Sequence, residues 1–243
     1  MEADEYKRLI EHGERHWWFR STRPLLRQLV EPHLDRSAGN IYLDAAGAVG
    51  STGGWLADFA PTVNADIEHV ALQTSAQLVD NYKPVRCDLN ALPFQPEAFS
   101  AVLCVTALCH RMNPDPAAIV RDFARITRPG GVICLMEPGG KRLWRGHDEV
   151  THTGRRFSLE ELRAMASAAG LEVVKATGAY TFLVPPAALM TRFEKGSTTS
   201  DVGRHQSGLL GVLGGLARIE RLLLRKISFP FGLSVIVVAR KPR

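Results

Sequence analysis

Three aspartates follow successive apolar segments of the chain: Asp44, Asp66 and Asp88. A turn of small residues, A-A-G-A-V-G-S-T-G-G at 45–54, comes directly after Asp44. Small side chains let a nucleotide-type ligand approach the backbone, whose N–H groups at a helix start can face it. Asp66 lies at the distance along the chain at which a carboxylate accepts both hydroxyls of a ribose. The pattern predicts a nucleotide-type binding site.

Each of these features also has an ordinary structural explanation. A small-residue turn can connect any strand to a helix, and a lone aspartate is often a helix cap or a solvated loop residue. All three aspartates, however, fall at the carboxyl ends of predicted strands, which is where parallel sheets bind ligands. Leu89, directly after Asp88, adds an apolar side chain that can contact a base. The set therefore favours one ligand site over three unrelated loops.

Histidines supply the candidates for acid–base chemistry, because an imidazole titrates near neutral pH. His110 comes directly after the predicted central strand, and His147 and His152 follow the next strand at the same edge of the sheet. We take His110 and His152 as the catalytic candidates. The alternative for His110 is local packing at a loop or helix start. The segment 147–157 either lines an acceptor pocket or is a solvated connection.

The N-terminal segment concentrates aromatic and basic residues in H-W-W-F-R at 16–20. Apolar residues recur at helical spacing over 5–34, and Pro24 suits a first helical turn, so we expect a second helix to begin there. The aromatic cluster either anchors these helices to the domain or covers a ligand. In the second case Trp18, with Arg20 or Arg23, would meet a planar or anionic group.

Strands and helices alternate from residue 41 onward, which predicts an α/β fold with a parallel sheet and helices on both faces. The near-continuous apolar run at 100–105 is typical of a central strand that is buried on both sides. Ser158 and Glu161 match a capping box at the start of a helix. Strands are expected near 41–45, 62–66, 84–87, 100–105, 132–136, 171–176 and 234–239, and helices near 52–60, 70–79, 115–126 and 158–169.

A long insertion separates the last two predicted strands, which would otherwise form a hairpin. We expect an N-terminal helical cap at 1–38, a core at 39–176 and 234–243, and an insertion at 177–233 that covers the substrate. Within the insertion, a polar loop at 195–206 precedes a Leu-rich stretch with basic residues at 209–227. That stretch either contacts a membrane surface or packs against the sheet or a second copy of the chain in a homodimer. Its apolar character favours an apolar or lipid-like acceptor.

Composition excludes several classes of function. The chain has 243 residues, enough for a full core, and a net charge of +5 from basic residues that are mostly spread out, so no nucleic acid partner is expected. The four cysteines show no C-x-x-C spacing and predict reduced thiols, with neither a metal site nor disulfides. We expect a cytoplasmic protein, because the N-terminus has no signal-peptide pattern and no apolar run is long enough to span a bilayer.

These features together resemble the class I S-adenosylmethionine-dependent methyltransferases, most closely the group often called type 11. The family fold is a seven-stranded, Rossmann-like sheet whose last strand is antiparallel, in agreement with the expected hairpin. The resemblance implies methyl transfer from S-adenosyl-L-methionine to an O, N or C nucleophile of a small acceptor. It rests on L-D-A-A-G-A-V-G (43–50), V-N-A-D-I (63–67), C-D-L-N-A-L-P-F (87–94), F-S-A-V-L-C-V-T-A-L-C-H (99–110) and R-I-T-R-P-G-G-V-I-C-L-M-E-P (125–138).

The resemblance also implies a role for each matching position. The N-terminal residues Trp18 and Arg20 resemble the family's cap over the cofactor, and His110 would lie close to the residues that border the methionine portion. The implied cofactor contacts are, in order, the methionine end (Asp44, Ala46, Gly47, Gly50), the ribose (Asp66), the adenine (Ile67, Asp88, Leu89) and the border of the methionine portion (Val105, Thr106).

Two positions depart from the family pattern. The family turn usually reads D-x-G-x-G-x-G, whereas Ala46 and Ala48 replace its first two glycines here, and Ser100 stands where an aspartate is common. Alanine would weaken cofactor binding if either position requires a positive φ. An alternative function therefore stays open: a methyltransferase-like domain with weakened or lost catalysis that acts as a binding or regulatory partner. A NAD-dependent oxidoreductase is a third possibility, which Asp88 and the L-P-F run fit less well.

Overall fold

The computed structural model describes residues 16–193 and 209–243, and a seven-stranded sheet lies at its centre. The strands are β1 (Tyr42–Ala45), β2 (Thr62–Asp66), β3 (Tyr82–Arg86), β4 (Phe99–Val105), β5 (Thr127–Pro138), β6 (Glu172–Ala179) and β7 (Ser234–Arg240). Their order across the sheet is β3-β2-β1-β4-β5-β7-β6. The first five strands pair in parallel, and β7 is antiparallel to both β5 and β6. The predicted doubly wound, Rossmann-like sheet with an antiparallel last strand is confirmed.

Local sequence signals determine where several helices begin. Ser158 and Glu161 form the predicted capping box, in which Ser158 Oγ accepts from the Glu161 N–H at 3.1 Å and Glu161 Oε2 accepts from the Ser158 N–H at 2.9 Å. The helices of the described ranges are α1 (Trp17–Val30), α2 (His69–Leu78), α3 (Pro116–Ile126), α4 (Gly146–Val150), α5 (Leu159–Ala168), α6 (Val184–Phe193) and α7 (Leu209–Leu223).

Separate apolar clusters cover the two faces of the sheet. Residues of α3 and α5, including Phe123 and Leu162, pack on one face. Residues of α1 and α7, including Leu26 and Ala217, pack on the other. Alternate residues of the same strands serve both clusters, because successive strand side chains point to opposite faces. The sheet is therefore a rigid frame for whatever lies at the carboxyl ends of its parallel strands.

Two expectations about helices are wrong. Helix α1 is continuous from Trp17 to Val30 and holds Pro24 in its interior, so no helix begins at that proline. Burial of its apolar stripe on the sheet stabilises the helix despite the missing donor of Pro24. The first predicted helix and the polar loop at 195–206 fall largely or wholly outside the described residues.

The second correction concerns the segment after β1, where an α-helix was expected at 52–60. The structure has a turn followed by a short 3-10 helix, Gly54–Asp58. Glycine disfavours an α-helix, and Gly53 packs directly on Asp44, so that a Cβ there would lie 1.9 Å from Asp44 Oδ2. The glycines thus serve close packing of the turn on β1 rather than a regular helix.

The N-terminal helix and the insertion pack on each other. Thr22 Oγ1 and the Tyr180 hydroxyl are 2.7 Å apart, and Gln28 Nε2 donates to the Arg221 carbonyl at 2.7 Å. Arg225 Nε donates in turn to Gln28 Oε1 at 3.0 Å. Helices α1 and α7 therefore form one layer over this face of the sheet. Across 16–193 and 209–243, none of the helices has the length and apolarity needed to cross a bilayer.

Candidate functional site

The turn after β1 adopts a backbone conformation that favours glycine. Ala46 and Ala48 have φ angles of 58° and 47°, and Gly50 has a φ of 82°. The Ala46 N–H donates to the Ala65 carbonyl at 2.7 Å, which ties the turn to β2. A left-handed conformation costs an alanine roughly 1–2 kcal/mol. The two positions that depart from the family pattern therefore do require positive φ, and alanine fills them under strain.

Asp44 lies beneath this turn and is almost fully buried, with 1% of its surface exposed. The Tyr82 hydroxyl donates to its Oδ2 at 2.5 Å, while its buried Oδ1 has no hydrogen bond partner. Burial raises the pKa of Asp44 to about 7, although the Tyr82 hydrogen bond acts in the opposite direction. One acceptor atom of Asp44 is thus available beneath the turn.

Asp66 joins the end of β2 to the same turn. Its Oδ2 accepts from the Ala48 N–H and its Oδ1 from the Glu68 N–H, both at 2.9 Å. Only 5% of Asp66 is exposed, and burial raises its pKa. Ile67 beside it is 39% exposed. Each carboxylate oxygen has a second lone pair, so Asp66 can hold the turn and still accept from a ligand.

Asp88 is exposed after β3, and its Oδ1 accepts from the N–H and the side chain of Asn90 at 2.9 and 2.8 Å. The same Asn90 Nδ2 contacts the Met112 carbonyl at 3.1 Å, which links this segment to the loop after β4. Leu89 is largely buried and belongs to the apolar core. The structure thus brings the predicted residues of β1, β2 and β3 to one edge of the sheet.

A buried glutamate that the sequence analysis missed organises the loop after β4. Glu137, at the end of β5, accepts from the N–H groups of Ala107, Leu108 and Cys109 at 3.1, 2.9 and 3.1 Å. It is 0% exposed, and burial raises its pKa to about 7 despite these hydrogen bonds. In the sequence, Glu137 could have been noticed as a single acidic residue directly after the apolar run 132–136.

The start of that loop contains the predicted residues Val105 and Thr106. Val105 ends β4 and is 7% exposed, while Thr106 has a φ of 52° and donates its N–H to the Met136 carbonyl at 2.7 Å. The chain therefore turns sharply away from the sheet at Thr106. Glu137 then fixes the residues that follow, up to the predicted catalytic residue His110.

The structure brings the two catalytic candidates together. The backbone of His152 and Thr151 acts to raise the pKa of the His110 imidazole, but burial outweighs it and lowers the pKa below its ordinary value. The Arg111 N–H donates to the His152 carbonyl at 3.0 Å, and His152 has a φ of 55°. Two separate sequence segments thus meet at the carboxyl end of β4.

The segment around His147 and His152 is not a solvated connection. Arg156 and Asp148 form a buried ion pair, with Nε to Oδ1 at 3.0 Å and a second contact to Oδ2 at 2.9 Å. Arg156 also donates to the Gly139 carbonyl at 2.9 Å. This bidentate pair holds the segment against the end of β5, where it can border a substrate.

Helix α1 places one of the two candidate arginines against the small-residue turn. Arg23 Nε donates to the Ser51 carbonyl at 3.0 Å, so Arg23 contacts the small-residue turn. Arg20 is exposed and faces a groove between α1 and α7. Trp18 is half-buried and packs edge-on against Phe19, with ring centroids 4.9 Å apart. Arg20 and Arg23 therefore point to different surroundings, although they lie only three residues apart on the helix. The roles of Trp18 and Arg20 toward a cofactor stay predictions.

Comparison with known proteins identifies the central part of the chain. A family model for a methyltransferase domain matches residues 43–135. The biotin biosynthesis bifunctional protein BioHC of Teredinibacter turnerae is 30% identical over 133 residues, which are 51% of this chain and 23% of that protein. The methyltransferase GfsG of Streptomyces halstedii is 29% identical over 137 residues, which are 53% of this chain and 45% of that protein. The chain spans less than half the length of these relatives.

Solved structures share the fold over most of the chain. A chain of the complex between the Haloferax volcanii Trm112 methyltransferase activator and a methyltransferase superposes with a TM-score of 0.63 at 16% identity, covering 99% of this chain and 97% of that one. The [4+2]-cyclase SpnF has a TM-score of 0.58 at 21% identity, with 89% and 80% covered. Geranyl diphosphate C-methyltransferase of Streptomyces coelicolor A3(2), solved with S-adenosyl-L-homocysteine, has a TM-score of 0.58 at 14% identity, with 90% and 77% covered.

The matched domain, the strand order and the residues at the carboxyl edge agree with one another. Solved structures of this fold contain S-adenosyl-L-methionine or its product S-adenosyl-L-homocysteine. Residues 43–135 thus match a methyltransferase domain, and over this segment the predicted resemblance to the type 11-like group of class I S-adenosylmethionine-dependent methyltransferases is confirmed.

Proposed function

We propose that this protein transfers a methyl group from S-adenosyl-L-methionine to a nucleophilic atom of a small acceptor. One observation carries the proposal: the parallel strands β1, β2 and β3 end at the same edge of the sheet, which also holds the small-residue turn. Three aspartates lie at this edge, namely Asp44, Asp66 and Asp88. When bound, the cofactor supplies an electrophilic methyl group on a sulfonium. The protein then has to position the acceptor in line and exclude water.

The residues present fit this cofactor. The unpartnered Oδ1 of Asp44 is a buried acceptor that a cationic amino group at the methionine end would satisfy, with Ala46, Gly47 and Gly50 beside it. Asp66 keeps lone pairs for the ribose hydroxyls. The adenine would lie near Ile67, Asp88 and Leu89, and the methionine portion would border Val105 and Thr106.

His110 is the proposed base for an acceptor with an ionisable proton. Because burial lowers its pKa, the imidazole is neutral near pH 7 and can accept a proton. His152 lies beside it through the backbone contacts of the two loops. Their proximity favours this edge, rather than the insertion, as the place where the acceptor atom lies.

For the acceptor, the insertion favours an apolar or lipid-like molecule. Helix α1 and the described part of 177–233 form one layer, and we propose that residues 1–38 and 177–233 act as a substrate cap over the core at 39–176 and 234–243. We also propose that the segment 209–227 contacts a membrane peripherally. No nucleic acid partner is proposed. Four free thiols are compatible with the cytoplasm as its compartment.

The strained alanines support a second candidate function. Ala46 and Ala48 lie in the left-handed region, so the turn stores strain at the positions nearest the proposed cofactor. A cyclase shares this fold, so the fold does not by itself imply methyl transfer. In this alternative the domain binds a ligand or a partner protein without transferring a methyl group.

Calorimetry separates the candidates. We expect S-adenosyl-L-homocysteine and S-adenosyl-L-methionine to bind and NAD not to bind under the same conditions. Methyl transfer to a panel of O, N and C nucleophiles with apolar chains would then identify the acceptor class. Absence of binding of either sulfur ligand at millimolar concentration would overturn the proposal, whereas binding without turnover would favour the second candidate.

A further inference from the structure

Helix α7 carries two apolar stripes, and only one of them is covered. The first stripe consists of Leu213, Ala217 and, directly after the helix, Leu224, which are 9%, 6% and 1% exposed. Ala217 and Leu224 belong to the apolar cluster that α1 and the sheet share. The second consists of Val212, Leu216, Ile219, Leu222 and Leu223, whose exposures are 58%, 41%, 58%, 48% and 48%. One stripe is enough to attach an amphipathic helix to a core. The second stripe needs another explanation.

An open groove with basic walls lies beside the exposed stripe. It runs between α1 and α7, has a volume of about 460 Å³, and is lined by Trp17, Arg20, Arg218, Arg221 and three glycines. A Cβ on any of those glycines, Gly211, Gly214 and Gly215, would meet no atom within 4 Å. Within the described part of the chain, no ion pair engages the three arginines. The groove thus offers free guanidinium groups and room for a ligand between them.

The one acidic residue of α7 does not neutralise these arginines. Glu220 is 5% exposed and accepts from the N–H groups of Tyr180 and Thr181 at 2.5 and 2.7 Å. Further along the chain, the basic residues Arg225 and Lys226 are exposed. The outer face of α7 therefore presents apolar side chains beside exposed basic residues.

We propose that this face of α7 and the adjoining groove dock on an anionic phospholipid bilayer. The arginines bind headgroup phosphates, for which a planar guanidinium is suited, and the exposed stripe enters the boundary of the acyl chains. We call the exposed stripe together with Arg20, Arg218 and Arg221 the docking surface. A two-fold contact between copies would instead bring the uncompensated arginines of both copies close to each other, which disfavours a second chain as the occupant.

The inference deepens the membrane contact of 209–227 that is part of the proposed function and rests on it, but its test uses no cofactor. The full chain is floated with neutral phosphatidylcholine vesicles and with vesicles that also contain phosphatidylglycerol, at low and high salt. We expect at least about tenfold stronger binding to the anionic vesicles, since each basic residue near an anionic surface contributes ~1 kcal/mol. High salt should remove most of this preference.

Variants assign the binding to the docking surface. The double change Arg218→Gln with Arg221→Gln should weaken binding to anionic vesicles about 30-fold, from two contributions of ~1 kcal/mol each. Ile219→Asp should abolish it, because a carboxylate would enter the apolar boundary. The matched control is Val70→Asp on α2, which also places a charge at an exposed apolar position, 51% exposed, and should bind as the unchanged protein does.

Three results would overturn the proposal. The first is equal binding to neutral and anionic vesicles, and the second is an equal loss in Val70→Asp. The third is no binding to vesicles. A dimer in light scattering that Ile219→Asp dissociates would then identify a second copy of the chain as the occupant, and binding of inorganic phosphate that the arginine double variant loses would identify free phosphate as the ligand. Binding of S-adenosyl-L-homocysteine, measured on the same variants, should stay unchanged. A failure of the docking surface is thereby distinguished from a failure of the methyl-transfer proposal.

Discussion

Two buried carboxylates hold two neighbouring loops at the carboxyl edge, and they do so in different ways. Asp66 at the end of β2 accepts one N–H of the turn after β1, from Ala48, and one from Glu68. Glu137 at the end of β5 accepts three N–H groups of the loop after β4. Asp66 keeps acceptor capacity for a ligand, whereas Glu137 uses most of its capacity within the protein.

The difference separates a binding residue from a positioning residue. Asp66 lies at the rim with the exposed Ile67 beside it, whereas Glu137 is 0% exposed and its carboxylate accepts from N–H groups of the loop that leads to His110. Removing the first carboxylate should therefore change ligand affinity. Removing the second should change the stability of the protein and the placement of the loop. The predictions below test this division, beginning with the largest expected effect.

Glu137→Ala should produce the largest loss. It leaves three buried N–H groups without an acceptor, and each costs about 1–3 kcal/mol, so we expect the free energy of unfolding to fall by at least about 4 kcal/mol. Urea denaturation measures this change. Glu172→Ala, at an exposed position on β6, is the matched control and should cost less than about 0.5 kcal/mol. Equal stability of the two variants would contradict the structural role of Glu137.

The pH dependence of stability should also report the carboxyl group of Glu137. Its pKa is about 7 in the folded protein, whereas the ordinary pKa of a glutamate is 4.5. Between these two pH values the folded state binds more protons than the unfolded state, so the free energy of unfolding falls as pH rises through this range. The shift corresponds to about 3 kcal/mol.

Glu137→Gln tests this linkage. The variant cannot titrate at this position, so its unfolding free energy should fall less between pH 4.5 and pH 7 than that of the unchanged protein. Urea denaturation at several pH values measures the two slopes. Asp44, whose pKa is also about 7, should supply part of the remaining slope. Identical slopes in the two proteins would show that Glu137 stays ionised throughout.

Asp66→Ala should mainly affect the ligand. Two hydrogen bonds from ribose hydroxyls to a charged acceptor contribute about 1.5–3 kcal/mol each, so we expect S-adenosyl-L-homocysteine to bind at least about 100-fold more weakly. Calorimetry gives the affinity, and thermal unfolding shows whether the domain stays folded. Asp58→Ala is the control, because that aspartate pairs with Arg27 at the surface. Unchanged affinity in Asp66→Ala would move the ribose contact elsewhere.

The contrast between the two loops also explains what the sequence could predict. The strands, the capping box at Ser158 and the three aspartates depend on local pattern, and β2 was expected at 62–66, where it lies. Glu137 was missed because its partners are about thirty residues away along the chain and meet it only through the pairing of β4 with β5. The expectation for α1 was wrong because burial of its apolar stripe overrode the local signal of Pro24. The expectation of a helix after β1 was wrong because glycines disfavour a helix there and Gly53 packs closely on Asp44.

The smallest expected effect concerns the turn after β1, which Asp66 holds. Ala46→Gly and Ala48→Gly each relieve a left-handed alanine, and each should raise the free energy of unfolding by about 0.5–1 kcal/mol, since the gain exceeds the entropy that glycine adds to the unfolded chain. Ala65→Gly on β2 is the control, where the backbone is extended and glycine should destabilise. If the strain also limits cofactor binding, the double glycine variant should bind S-adenosyl-L-homocysteine several-fold more tightly in calorimetry. Unchanged stability together with unchanged affinity would show that the turn accommodates alanine without strain, and would remove the main physical argument for the non-catalytic alternative.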